Sequence, residues 1–93
     1  MKVIVCDKIL AQSDKTVSLE GNYYFPPDAV SMEYLKKTDH QYTCPWKGEC
    51  DYYDVVVGEC VEKDAAWMYP EPSEAAQSIK GFFAFKPGIK IQE

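Results

Sequence analysis

The stretch Cys44-Pro45-Trp46-Lys47-Gly48 sets a thiol, an indole and an ammonium within four consecutive positions. Three kinds of chemistry fit it. A thiolate favoured by the neighbouring Lys47 charge is a nucleophile. A thiol can also ligate a metal, or fill a core as a small hydrophobe. Nucleophilic work calls for a base, and the sole histidine is His40, four residues upstream. On an extended strand those two Cα atoms lie about 13 Å apart, at roughly 3.3 Å per residue. They share a face but do not touch, so a Cys–His dyad is disfavoured. The buried-thiol reading stands first, with Cys44 kept as the candidate nucleophile.

Metal-ligand spacing is missing. Cys44 and Cys50 are six apart, Cys60 is ten further, and no C-x-x-C pair exists. No metal and no cofactor are therefore expected. Asp51 and Asp54, three apart on a strand, face opposite ways. They are read as solvated strand positions rather than as a magnesium pair. No glycine-rich phosphate loop precedes a helix.

The aromatic residues carry more of the functional reading. Tyr42, Cys44 and Trp46 share one strand face. Trp46, Lys47, Tyr24, Tyr53 and Trp67, with Glu20 and Asn22 as polar contacts, are expected to line a pocket around Cys44–Gly48 for an unidentified small molecule, polar or anionic. The competing use of the same rings is core filling.

The elements that must position these residues are short. The chain has 93 residues, which suggests one domain over 1–93. Its seven Tyr, four Phe and two Trp supply core area enough for a compact fold. The net charge of −5 and the absence of Arg work against nucleic-acid binding. The apolar run Val3–Val5 is too short for a leader or a membrane span, so no membrane association is expected and the cytoplasm is the expected compartment. That compartment favours four free thiols over a disulfide.

Strands are expected over 2–5, 8–11, 16–19, 41–46, 50–57, 65–69 and 82–85, separated by Gly, Pro and Asp turns. Gly21-Asn22 permits a bend. Lys47-Gly48 and Gly58-Glu59 would make two linked hairpins of 41–61. Two short helices are expected, over 32–37 behind Ser31 and over 73–80 behind Ser73, the second ended by Gly81. The sum is a mainly β, antiparallel domain with one or two short helices.

Five blocks, "EGNYYFP" at 20–26, "CPWKG" at 44–48, "YY" at 52–53, "DAAWMYPEP" at 64–72 and "IKGFFAF" at 79–85, together resemble the family named domain of unknown function 427. The resemblance runs over nearly the full length, with Met68 and Cys50 as departures. It implies a fold similar to the β-tent type, shared with methionine-R-sulfoxide reductases, and a catalogued nucleotidyltransferase-like label without an established activity. Fold analogy alone assigns no function. Three readings stay open: a small-ligand-binding module, an enzyme using Cys44 or transferring nucleotidyl groups, and a structural or interaction domain. Oligomeric state is not legible.

Overall fold

A computed structural model describes all residues, Met1–Glu93. It is mainly β, with antiparallel strands throughout, as the alternating segments require. β1 (Lys2–Val5), β2 (Lys8–Gln12) and β9 (Lys90–Gln92) form one sheet in the order β2-β1-β9. β3 (Val17–Leu19) and β4 (Asn22–Tyr24) form a hairpin. β5 (Leu35–Cys44), β6 (Gly48–Val57), β7 (Cys60–Met68) and β8 (Phe83–Phe85) form the four-stranded sheet in that order. No helix is long and apolar enough to cross a membrane.

The four-stranded sheet packs against a core on each face, and the two-residue period of β6 shows how. Tyr53, Val55 and Val57 enter a core shared with Val3, Leu10 and Phe25. Cys50 and the half-buried Tyr52 turn to a second core with Tyr24, Cys44, Tyr69, Ile79 and Ala84. Leu10 and Phe25 are fully buried, each contributing about 1.5–3 kcal/mol by removing its side chain from water. Phe25 and Phe83 exchange backbone hydrogen bonds at 2.8 and 2.9 Å, which carries the β3–β4 hairpin onto the β8 edge.

Two bulges flank the middle of β6. Between the pairs Lys37↔Tyr53 and Gln41↔Asp51, β5 advances four residues while β6 advances two. Between Tyr53↔Ala66 and Val55↔Glu62, β7 likewise takes four against two. Thr38 holds the first bulge, donating to the Tyr52 carbonyl at 3.1 Å and accepting from the His40 amide at 3.0 Å. Asp54 holds the second, accepting from the Asp64 amide at 2.8 Å.

Three expectations are corrected. The two helices are only short 3-10 turns. One spans Met32–Tyr34, because from Leu35 onward the chain pairs with β6. The other spans Glu74–Ile79 and is broken at Ala76. Ser73 does not cap it, since its hydroxyl donates to the Trp46 carbonyl at 2.5 Å instead. Four free thiols are also not found: Cys6 and Cys60 form a disulfide, leaving Cys44 and Cys50 free and buried. The hairpin tips that bring Cys6 to Cys60 are 54 residues apart in sequence, so neither run shows the pairing locally. Finally, Asp51 is buried and Asp54 half-buried, so neither is a solvated strand position.

Candidate functional site

The pair Cys44↔Gly48 closes β5 to β6 and leaves Pro45, Trp46 and Lys47 as a three-residue loop. The amides and carbonyls of Trp46 and Lys47 all have partners. The Trp46 and Lys47 amides donate to the Cys44 sulfur. The Trp46 carbonyl accepts from the Ser73 hydroxyl, and the Lys47 carbonyl accepts from the Ser73 amide at 2.8 Å. Gly48 takes φ +108°, and a Cβ there would stand 3.4 Å from the Glu71 carbonyl oxygen. The positive φ is what calls for glycine, since the Cβ contact alone would be an ordinary one.

Lys47 is charged and buried, 8% exposed, an arrangement that needs partners. Its ammonium forms an ion pair with Glu20. It also lies 5.0 Å from the Trp46 ring centroid and 5.7 Å from that of Tyr69, within cation–π range. The Trp46 indole N–H donates to the other Glu20 oxygen at 3.3 Å. The two oxygens of one carboxylate are thus taken by two side chains of one loop.

Glu20 reaches this place from the tip of the β3–β4 hairpin. Leu19 pairs with Asn22, so the loop is Glu20-Gly21, with φ +53° and +81°. Such a turn prefers Asn-Gly, Asp-Gly or Gly-Gly. A glutamate in the left-handed region is strained, and here its side chain is held by Lys47 and Trp46.

The electrostatics follow from these contacts. Burial pushes the Cys44 thiol up, but the Trp46 and Lys47 amides and the Lys47 ammonium outweigh it, leaving Cys44 below the ordinary thiol range. Burial pulls the Lys47 ammonium down, but Glu20, with Cys44 and Tyr24 behind it, more than offsets this and raises it. Hydrogen bonds from Lys47 and then Trp46 hold the Glu20 carboxyl below the ordinary carboxylate range. Burial pushes the Cys50 thiol up despite a hydrogen bond with Tyr69. Tyr69 itself is pushed far up, first by burial and then by neighbouring Cys50, Tyr24 and Cys44. Two free thiols on one sheet face therefore lean opposite ways. The spacing of Cys44 and Lys47 is that of a metal knuckle with an ammonium in place of the second thiol. No group of three His, Cys, Asp or Glu gathers to hold a metal ion.

Of the residues expected at this site, the structure brings together Cys44, Trp46, Lys47 and Glu20. Tyr24 is buried behind them, and its hydroxyl accepts from the Trp67 indole at 3.2 Å. Tyr53 is not brought there: it lies in the other core, edge-on to Phe83 at 5.2 Å. Asn22 sits beside the hairpin tip and makes none of the cluster's hydrogen bonds. No cavity opens at 44–48, because Tyr24, Tyr69 and Ile79 fill the space beneath. Trp46, 40% exposed, makes the cluster a surface site. The cavity of the structure, about 370 Å³, lies instead beside the disulfide, lined by Val5, Cys6, Asp7, Glu62 and Lys90 among others.

Ser73 is the partner that sequence reasoning did not assign to the site. Ser73 carries a helix-cap signature, which hides its use as an anchor for the 45–47 loop. The exposed His40 is likewise placed by the fold. The two bulges bring its Nδ1 to 3.1 Å from Asp64, and its ring stacks on Tyr52 at 4.4 Å. His40 is thus engaged away from Cys44.

The family model described as Domain of unknown function (DUF427) matches residues 1–92, and the chain belongs to that family. No curated protein matches it.

Proposed function

We propose that this family member is a small-ligand-binding domain whose ligand, polar or anionic, meets the protein at Trp46 and Lys47. The observation that supports this reading is Lys47 itself. A buried ammonium, banked by two aromatic rings and paired with a carboxylate on the exposed side, is costly to keep as packing alone. It suits a site that recognises negative charge beside an apolar face. The test is a thermal-shift panel of organic acids, amino acids, nucleotides and sugars, followed by calorimetry of any hit. A hit whose heat of binding vanishes in Lys47→Met supports the reading. A panel without hits, or hits indifferent to Lys47→Met, removes it.

A second reading, an enzyme using Cys44, is favoured by the lowered thiol alone. A Cys44→Ser protein that handles electrophilic substrates as the wild type does would remove it. Nucleotidyl transfer draws no support from the carboxylates. Asp51 is engaged by Gln41 and Lys37, and Asp54 by Asp64 and Lys63.

A further inference from the structure

The Glu20 carboxylate is held as a ligand's carboxylate would be. One of its oxygens faces the Lys47 ammonium and the other the Trp46 indole N–H. Both donors come from one loop, which Ser73 fixes from behind. Lys47 is the buried member of the ion pair, its side chain 10% exposed, while that of Glu20 is 48% exposed. Glu20 therefore covers the donors from the solvent side. Its backbone is held where a glutamate is strained, at φ +53° on a hairpin tip.

We propose that Trp46 and Lys47 form a carboxylate receptor, and that Glu20 is its internal occupant, displaced when an external carboxylate binds. This deepens the binding reading above and rests on it: the ligand class becomes carboxylic acids. The displacement is an exchange of one carboxylate for another on the same two donors. No bond is made or broken, and the net charge at Lys47 stays the same. The hairpin tip that carries Glu20 is then released from its side-chain tie. The arrangement limits affinity, because every external acid competes with an intramolecular one at high effective concentration.

The probe is sodium acetate, titrated against sodium chloride at matched ionic strength. The readout is the Trp46 indole N–H resonance in the full chain. Glu20→Gly removes the internal occupant and leaves Gly-Gly, a pair the turn accepts. The expected result is saturable movement of the Trp46 signal, with acetate bound at least tenfold more tightly by Glu20→Gly than by wild type. The double variant Glu20→Gly/Lys47→Met should lose the response. Equal acetate affinity in wild type and Glu20→Gly, with a Lys47-dependent hit still found in the ligand panel, overturns the internal-occupant proposal and leaves the binding reading standing. No Trp46 response in any variant and no hit in the panel overturns both.

Discussion

Two hairpin tips in this protein share a backbone design and differ in how they are tied down. The β1–β2 tip is Cys6-Asp7, with φ +47° and +66°; the β3–β4 tip is Glu20-Gly21, with φ +53° and +81°. Each holds a non-glycine residue in the left-handed region at its first loop position. Each of those residues is fastened to the four-stranded sheet by its side chain. Cys6 is bonded to Cys60 at the start of β7, and Glu20 is ion-paired to Lys47 at the turn into β6. One fastening is covalent and closes the fold. The other is ionic and lies over a buried cation. The difference is the one on which the proposed binding reading turns: a covalent tie suits an architectural role, whereas the ionic one is the tie the proposal has a ligand displace.

Breaking the covalent fastening should have the largest effect. The disulfide closes a loop across a sequence separation of 54, and chain-entropy reasoning assigns such a loop about 4 kcal/mol. The double variant Cys6→Ser/Cys60→Ser should therefore melt some 15–30 °C lower, roughly 4–8 °C per kcal/mol for a domain of this size. Calorimetric scans of the two proteins check this. Unchanged melting would mean that the first tip is held by packing alone.

Next comes the loop that presents Lys47. Gly48→Ala puts a Cβ into a backbone at φ +108° and 3.4 Å from the Glu71 oxygen. A loss of about 1–3 kcal/mol is expected in urea unfolding. Ser73→Ala removes one hydrogen bond to the same loop and should cost about 1 kcal/mol. If Ser73 acted as a helix cap instead, the loss would be accompanied by fraying at 74–79 and not at 45–47, which amide exchange separates.

The ionic fastening should show itself through pH. Glu20 titrates below its ordinary value of 4.5 when folded, chiefly because Lys47 and Trp46 donate to its ionised form. A depressed carboxyl contributes stability above its unfolded pKa and loses it as pH falls through the folded one. Melting temperature should thus fall on acidification below about 4.5, and that fall should be shallower in Glu20→Gln. The effect is smaller than that of the disulfide, since Glu20 is open to water and screened by salt. Identical acid limbs in the two proteins would dissolve the contrast between the tips.

The sequence showed the parts of this arrangement that are local. Short apolar runs marked β1 and β2, alternation marked β3, β-branched and aromatic residues marked β6, and the glycines at 48 and 58 marked two of the turns. What it hid is non-local. The β3–β4 turn sits at Glu20-Gly21, one residue before the Gly21-Asn22 bend expected from turn chemistry, because Leu19 pairs with Asn22. Lys36 and Lys37 look helical behind Ser31 but are taken by pairing to β6. Tyr52 and Tyr53 are adjacent letters that the strand period sends to opposite cores, so only one side of the pair could join the site. The Cys6–Cys60 bond and the Glu20–Lys47 pair join segments that no local rule connects.

The central claim is that the 44–48 loop and Lys47 create a place where negative charge is stabilised. Cys44 and Cys50 report on it from one sheet face: the first thiol lies below its ordinary value and the second above it. The direct measurement is the rate of iodoacetamide alkylation of each, followed by peptide mass spectrometry across pH in wild type and Lys47→Met. The account predicts a lower pH midpoint for Cys44 than for Cys50, with the Cys44 midpoint moving up when Lys47 is replaced. Equal midpoints, or a Cys44 midpoint indifferent to Lys47, would contradict it.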